Sequence, residues 1–375
     1  VASTIRHTTA VITKAKIGKM SIQSIYMERS LQLARKGKGY TGSNPMVGAV
    51  IVHGDKIIGE GYHRKYGEPH AEVNAIASVK NPSLLMESTL YVTLEPCAHQ
   101  GKTPPCAALI VSCRIPRVVI AVTDPNPMVA GKGIAIMREG GIEVSVGLME
   151  EEARELNRAF FVNQLDKRPY VILKWAESRD GYMDHLRSSL TERAPAIISN
   201  PITQTIVHKF RTEVAGIMVG TNTALLDNPQ LTARKWFGSN PTRVVIDRDH
   251  KIPSDAALFN GVTRTILFSA VSRESSPSSA GVKVIIIDFQ GDVISQILYH
   301  LYIENVHSLL VEGGSQLLSS FIDAELWDEA YVERSEILLG QGVKAPEIQG
   351  EIIQVNNSPG SLQFHLKSKI TRKFL

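Results

Sequence analysis

Apolar and polar positions along this chain alternate between two rhythms. Over residues 47–52, 89–94, 118–122 and 142–146, apolar residues run continuously or at every second position, with the β-branched content of strands. Between them, residues 25–35, 71–78, 107–112 and 134–139 place apolar side chains three and four apart, as on one helix face. Strands alternating with helices predict an α/β layered sheet with a mainly parallel core. A charged helix is predicted over residues 150–163, and Asp166-Lys167-Arg168-Pro169 reads as a linker. The pattern then begins again. Strand-like runs at residues 170–175, 214–219, 243–246, 264–268, 282–287 and 308–311 are separated by helical or polar stretches, again an α/β arrangement. Residues 272–281 are serine-rich and read as a surface loop. Residues 364–375 alternate like a strand that stops abruptly, as though a few residues were missing.

A length of 375 residues fits two domains, and the linker divides them into residues 20–165 and 166–375. Residues 1–19 stand apart: basic, threonine-rich, with no acidic residue and no apolar period. They match either a transit peptide or sequence upstream of a start at Met20, and their low arginine content favours the second. No apolar run is long enough to span a bilayer, so no membrane is expected. Three cysteines cannot build a disulfide framework, which points to a reducing cytoplasm. The net charge of +4 is small for this length; it either assists capture of a phosphorylated substrate or is ordinary surface charge. No basic stripe with interleaved aromatics suggests a nucleic-acid groove. The expected partner is a small molecule, and the expected assembly a homo-oligomer.

The chemistry concentrates in two separated segments, His70-Ala71-Glu72 and Pro96-Cys97 followed by Cys106. One imidazole and two thiolates suit tetrahedral Zn²⁺ with a fourth position left for water, and such a metal brings the water's pKa toward neutrality. Glu72, two residues after the histidine, is placed to carry protons from water to ring nitrogen to leaving amine. This is the nucleobase-deaminase pattern, except that eight residues rather than two separate the cysteines. Isolated His-x-Glu motifs and paired cysteines are common, so context decides. His70 opens a helical run, Cys97 follows a strand at a Glu-Pro-Cys corner, and Cys106 opens another helical run, so the three ligands can converge. Cys113 is left as a core thiol. The loop between the cysteines, Ala98-His99-Gln100-Gly101-Lys102-Thr103-Pro104-Pro105, holds donors suited to a substrate phosphate. In the second half, Glu312-Gly313-Gly314-Ser315 sits between a strand and a helix, where glycines would let backbone approach a pyrophosphate. A Gly-Gly turn alone is common and decides nothing.

The run Pro96-Cys97-Ala98-His99-Gln100-Gly101-Lys102-Thr103-Pro104-Pro105-Cys106 closely resembles the bifunctional riboflavin biosynthesis family RibD. So do Ser43-Asn44-Pro45-Met46-Val47-Gly48, Gly59-Glu60-Gly61-Tyr62-His63, Gly67-Glu68-Pro69-His70-Ala71-Glu72, and Asp124-Pro125-Asn126-Pro127 before Gly131-Lys132-Gly133. The resemblance runs from about residue 25 to the C-terminus and is denser in the first half. That family joins a diaminohydroxyphosphoribosylaminopyrimidine deaminase to a 5-amino-6-(5-phosphoribosylamino)uracil reductase. The resemblance implies a cytidine-deaminase-like domain followed by a dihydrofolate-reductase-like domain that uses NADPH. It implies His70, Cys97 and Cys106 on zinc, with Glu72 as proton shuttle. It also implies substrate contacts from Asn44, His63, His99, Lys102, Asp124 and Asn126, although Asp-Pro-Asn-Pro is equally a natural turn. Residues 221–234, Thr221-Asn222-Thr223-Ala224-Leu225-Leu226-Asp227-Asn228-Pro229-Gln230-Leu231-Thr232-Ala233-Arg234, are similar to the family's stretch around cofactor and substrate. By that match Thr223 and Asp227 would lie near NADPH, and the resemblance also puts Lys174, Ala176, Gly314 and Ser315 at the cofactor. Arg211 and Arg234 would bind the ribose phosphate unless they are solvated surface arginines, and Leu231 and Glu312 would touch the substrate. The implied reactions are loss of the 2-amino group from 2,5-diamino-6-(ribosylamino)-4(3H)-pyrimidinone 5′-phosphate, then reduction of the ribose to a ribityl chain.

The second half also departs from the family. A Gly/Ser-rich loop and a tryptophan usually precede its helix start. Here Leu186-Arg187-Ser188-Ser189-Leu190-Thr191-Glu192-Arg193-Ala194-Pro195-Ala196-Ile197 precedes Ile198-Ser199-Asn200-Pro201. Ile197 therefore stands where an aromatic is expected, Pro195 where a small hydroxyl residue is common, and Arg179 where an apolar residue is typical. An altered cofactor pocket is expected. Beside the bifunctional enzyme, three alternatives stay open: an active deaminase with a degenerate, structural reductase domain, a nucleoside or tRNA deaminase, and a non-enzymatic zinc module.

Overall fold

The structure, a computed structural model, describes residues 21–98, 105–127, 129–187, 194–271 and 281–369. The N-terminal extension, nearly all of the serine-rich loop and the last six residues lie outside the described residues. Ser21 caps α1 (Ile22–Arg35), its hydroxyl accepting the Ser24 N–H at 3.1 Å. Then come β1 (Gly48–His53), β2 (Lys56–Tyr62), α2 (Ala71–Ala77), β3 (Ser88–Val92), α3 (Cys106–Ser112), β4 (Arg117–Ile120), α4 (Lys132–Glu139), β5 (Glu143–Val146), α5 (Glu150–Leu156) and α6 (Arg158–Asp166). These strands form one sheet in the order β2-β1-β3-β4-β5. Successive strand residues face opposite layers. Ala49, Ile51, Leu90, Val118 and Ile120 pack beneath α2, α3 and α4, while Val50, Tyr91 and Val119 pack against Met27 and Leu31 of α1 and Phe161 of α6.

Two features differ from the sequence pattern. The sheet is mixed rather than mainly parallel, because β2 and β3 both run antiparallel to β1 and only β3-β4-β5 is parallel. β2 escapes the apolar pattern because Lys56, Glu60 and two glycines interrupt it, and Gly54, at φ 57°, turns the chain back to form the hairpin. Residues 150–163 form two helices rather than one. Asn157 leaves helical geometry (φ −106°, ψ 21°), and its amide bridges the N–H and carbonyl of Met46 at 2.8 and 2.9 Å.

The second half contains β6 (Tyr170–Glu177), β7 (Tyr182–Asp184), α7 (Pro201–Glu213), β8 (Gly216–Val219), α8 (Thr221–Asp227), β9 (Thr242–Ile246), β10 (Thr265–Ser269), β11 (Val282–Ile286), α9 (Val293–Ile303), β12 (Ser308–Gly313), α10 (Ser315–Asp323), β13 (Glu329–Ser335), β14 (Val343–Lys344), β15 (Glu351–Ser358) and β16 (Ser361–Lys367). Nine strands form a sheet in the order β11-β10-β9-β8-β12-β6-β13-β16-β15, and β14 pairs with β7 separately. Pairing is parallel from β11 to β13 and antiparallel at β16 and β15. Ile297, Leu301, Leu318 and Phe321 of α9 and α10 cover one face, against Leu173, Met218, Val244 and Leu309. Ala224, Leu258 and Phe259 cover the other, against Ile217, Val219, Val245 and Leu310. β13 is unmarked in the apolar pattern because two of its glutamates, Glu329 and Glu333, point inward and are buried. β16 starts at Ser361 and ends at Lys367; residues 370–375 of the strand expected over 364–375 lie outside the described residues.

The linker and the first-half helix α6 are tied to the second sheet by buried charge. Both terminal nitrogens of Arg168 lie 2.6 Å from Asp328, which also accepts the Val171 N–H at 2.8 Å. Glu329, fully buried, accepts from Tyr170 Oη at 2.8 Å and Tyr331 Oη at 3.2 Å, and pairs with Arg158 of α6 at 2.7 Å. His365 Nε2 stands 3.2 Å from the same carboxylate, its ring stacked on Tyr331. Burial pushes the Glu329 carboxyl up, but the contacts from His365 and Arg158 outweigh it and hold the group at about 2. No helix among the described residues is long and apolar enough to cross a membrane.

A folded-state pKa depressed below the ordinary 4.5 stabilises the fold above that value, and the contribution fades as pH falls toward 2. Glu329→Gln is expected to cost about 3 kcal/mol at neutral pH, as for a broken buried pair. The gap from the unaltered protein should shrink between about pH 5 and pH 2. Trp175, Trp236 and Trp327 all lie in the second half, so urea unfolding followed by tryptophan fluorescence reads this out. An equal gap at every pH would contradict the assignment.

Candidate active sites

His70 precedes α2 in extended geometry (φ −71°, ψ 167°), which turns its side chain away from the helix while Glu72 enters the first turn. α2 lies tightly on β2 because Gly61 has no side chain; a Cβ there would stand 2.3 Å from Ala75 N. Cys97 follows β3 at the Glu-Pro-Cys corner, and Cys106 begins α3, donating its N–H to Cys97 Sγ at 3.3 Å. His70 Nδ1 is 3.6 Å from Cys97 Sγ and 3.4 Å from Cys106 Sγ, and the three donor atoms lie within 4.8 Å of one another. Zn–S and Zn–N bonds of about 2.3 and 2.0 Å at a tetrahedral angle require N···S separations of about 3.6 Å. The donors fit zinc as they stand.

Glu72 is buried against this triad. Burial is the main reason its carboxyl is pushed up to about 7, with the Cys97 thiolate adding to the rise and His70 opposing it. A dication at the donors opposes the same rise. Hydrogen bonding between the two thiols drives Cys97 down and Cys106 up, so one thiolate forms far more readily than two. His63 is buried, its ring edge-on to His70 at 5.5 Å. Its Nδ1 faces the Pro69 carbonyl at 3.3 Å and its Nε2 the Asn44 amide nitrogen at 3.1 Å. A carbonyl only accepts, so Nδ1 carries the proton and Nε2 accepts from Asn44. Burial lowers the His63 pKa, consistent with that neutral form. Asp124 Oδ1 accepts the Asn126 N–H at 2.8 Å, so this run does form a turn. His99 and Lys102 lie outside the described residues.

The motif reading does not single out Glu95, which is 4 % exposed. Its Oε2 accepts the N–H groups of Asp124 and Gly131 at 3.2 and 3.0 Å, and its Oε1 those of Gly133 and Ile134 at 3.0 and 3.3 Å. The available signal is a charge embedded in Leu94-Glu95-Pro96-Cys97, where a strand end would bury it unless paired.

A cavity of about 1100 Å³ opens in the second half, bordered by the N-termini of α8 and α10 just beyond β8 and β12. Lys174, Ala176, Thr223, Asp227, Glu312, Gly314 and Ser315 line it. Gly314 allows a close approach between the two helices, since a Cβ would stand 3.2 Å from Thr223 Oγ1. Arg211 and Glu312, expected to meet phosphate and substrate separately, are here each other's partners. Nε bonds Oε1 at 3.0 Å and a terminal nitrogen bonds Oε2 at 2.7 Å. Burial lowers the Lys174 pKa against the pull of Glu312 and Glu333. Leu231 is buried beside Ile217 and Phe259, so only its backbone, at φ 52°, is available to a ligand. Arg234 donates to Thr232 Oγ1 at 3.3 Å and does not line the cavity. Sequence reasoning passes over His208, one turn before Arg211 on α7, whose pKa burial and the Arg211 and Arg234 charges push down to about 4. It also passes over Arg187 as a cavity residue.

Two family models match the chain: the cytidine and deoxycytidylate deaminase zinc-binding region over residues 20–122, and the RibD C-terminal domain over residues 169–371. The riboflavin biosynthesis protein RibD of Aquifex aeolicus is 40 % identical, over 87 % of this chain and 90 % of its own length. That of Bacillus amyloliquefaciens is 40 % identical over 92 % of each, and that of Escherichia coli 33 % over 85 % and 89 %. Among solved structures, a diaminohydroxyphosphoribosylaminopyrimidine deaminase/5-amino-6-(5-phosphoribosylamino)uracil reductase from Thermotoga maritima superposes with a TM-score of 0.83 at 34 % identity. It covers 92 % of this chain and 99 % of its own. RibD of Acinetobacter baumannii gives 0.83 at 31 %, covering 92 % and 98 %.

Elemental analysis of purified protein is expected to find about one zinc per chain, given the donor fit. Cys97→Ser and Cys106→Ser should lose it, and Glu72→Ala should retain it. Loss of zinc from the Glu72 variant would place that carboxylate among the ligands.

Proposed function

The chain belongs to the RibD family of riboflavin biosynthesis proteins, and on that premise we propose its substrates, cofactor and working residues. It is a riboflavin biosynthesis enzyme with deaminase and reductase activities. We assign the deaminase to residues 20–165 and the reductase to residues 166–375. The deaminase substrate is 2,5-diamino-6-(ribosylamino)-4(3H)-pyrimidinone 5′-phosphate. The observation that carries this reading is the triad His70, Cys97 and Cys106 at N···S distances of 3.6 and 3.4 Å, with Glu72 buried beside it.

Zinc, when bound, supplies an activated water at neutral pH. Glu72 takes a proton from that water on its carboxylate and delivers protons first to the ring nitrogen, then to the departing amine. The C–O bond forms first, as the ring C=N π pair takes the proton at the ring nitrogen. The exocyclic C–N bond then breaks as the amine is protonated, the carbonyl forms and ammonia leaves. Asn44 and His63, locked to each other, orient the pyrimidine, with Asp124, Asn126, His99 and Lys102 completing the pocket. In the second step the opened ribose accepts a hydride and a proton and becomes the ribityl chain. NADPH supplies the hydride. Lys174, Ala176, Thr223, Asp227, Gly314 and Ser315 hold the cofactor; Arg211, Leu231, Arg234 and Glu312 hold the substrate, after the Arg211–Glu312 pair opens to admit it. The assembly is a homo-oligomer. In support, edge strand β15 carries Ile352, Ile353 and Val355, each about half exposed, on a sheet edge of the kind that natural proteins cover.

The test is a coupled assay on zinc-replete protein given the diaminopyrimidine ribosyl phosphate, following ammonia release and NADPH oxidation together. Both signals are expected. Glu72→Ala should cut ammonia release by about 10³-fold or more while leaving the reductase able to use separately supplied deaminated substrate. Ammonia without NADPH oxidation would establish the degenerate-reductase alternative. Turnover of cytidine or an RNA adenosine in place of this substrate would overturn the assignment.

A further inference from the structure

Two members of an ion cluster in the reductase cavity, Arg187 and Asp184, have no role in the reading above. Arg187, whose side chain is 3 % exposed, reaches two segments of chain. Its Nε donates to Asp184 Oδ2 at 2.9 Å, and one terminal nitrogen donates to the same oxygen and to Asp227 Oδ1, the latter at 2.6 Å. The other terminal nitrogen donates to the Leu226 carbonyl at 3.1 Å. Asp184, at the end of β7, in turn accepts with Oδ1 the N–H groups of His185 at 2.9 Å and Ala196 at 2.8 Å. The guanidinium thus joins the end of β7 to the last turn of α8, and Asp184 in turn holds the backbone at Ala196.

The placement has a physical reason. The final carbonyls of a helix lack intrahelical partners, and a cation there is favourable. Two carboxylates converging on one cavity wall repel unless a cation lies between them. The wall needs such a tie, because Ile197 beside it is 79 % exposed and is not what holds it. With Asp227 Oδ1 held by Arg187, the other carboxylate oxygen is the one available to accept from a hydroxyl of a ligand.

We propose that Arg187 is a positioning residue for the reductase cofactor, fixing Asp227 so that its carboxylate receives a ribose hydroxyl of the dinucleotide. The inference rests on the NADPH reading. It assigns Arg187 no contact with the cofactor; the residue acts through Asp227.

The experiment uses full-length, zinc-loaded protein and measures NADPH dissociation constants by nicotinamide fluorescence. It also measures kcat and KM for NADPH oxidation, with ammonia release as the internal control of folding. Arg187→Ala is expected to raise the NADPH Kd and KM by about tenfold or more, the scale of one charge-assisted hydrogen bond. kcat at saturating NADPH and ammonia release should stay within about threefold. The double variant Arg187→Ala with Asp227→Ala should bind no more weakly than Asp227→Ala alone, since both remove one interaction. Arg187→Gln, which keeps the length and a donor but no charge, covers the case in which alanine impairs folding, and should show the same loss. Wild-type affinity in either single variant, or fully additive losses in the double variant, would overturn the proposal. Failure of the unaltered protein to bind NADPH would instead defeat the cofactor reading beneath it.

Discussion

The deaminase pocket depends on one buried carboxylate that never touches the chemistry. Glu95 sits between the end of β3 and Cys97 and takes four backbone N–H groups from residues 124–134. Buried backbone donors must be satisfied, and a buried carboxylate must be paired or hydrogen-bonded. Each requirement answers the other. The same contact brings the start of α4 so close that a Cβ at Gly133 would lie 2.0 Å from the Pro96 carbonyl. The corner holding Cys97 and the turn holding Asp124 and Asn126 are therefore one unit, and displacing either would strand donors or charge.

A comparable logic joins the halves of the molecule. Glu329 of β13 collects Tyr170, Tyr331, His365 and Arg158 around one carboxylate. Arg168 and Asp328 tie the linker to the start of the same strand. The metal triad and the cavity both lie beyond the carboxyl ends of parallel strands, where helix N-termini converge and ligand sites form in α/β sheets. Buried ion pairs such as Arg158 with Glu329 fix orientation more than they add net stability.

Much of this is legible in the sequence where function and local structure coincide. His70, Cys97 and Cys106 each sit at an element boundary that apolar periodicity marks, so their convergence follows from strand–helix alternation. β2 and β13 are not legible, because glycines in one and inward glutamates in the other break the pattern that burial normally writes. Asn157, which divides α5 from α6, acts on Met46, more than a hundred positions away in sequence, and no local rule reveals that. Glu95 looks like part of a motif, yet its role depends on a loop about thirty positions later. Tertiary partners of this kind are what a single sequence conceals.

The reductase half shows why substitutions in a motif do not by themselves signal decay. Pro195 and Ile197 remove the hydroxyl and aromatic that the family resemblance leads one to expect, and read alone they suggest a lost site. The cavity nevertheless remains open, and its wall is tied by Asp184, Arg187 and Asp227 rather than by a ring. Removing any one member of this nearly buried guanidinium and its two carboxylates would be costly. The same holds for Arg211 and Glu312, paired at 3.0 and 2.7 Å beside Lys174. Lys174, Asp184, Arg187, Asp227 and Glu312, unlike the charges around Glu329, line an open cavity, where a polar ligand can meet them. Charge placed around an open cavity argues for a working pocket whose wall is held by different chemistry.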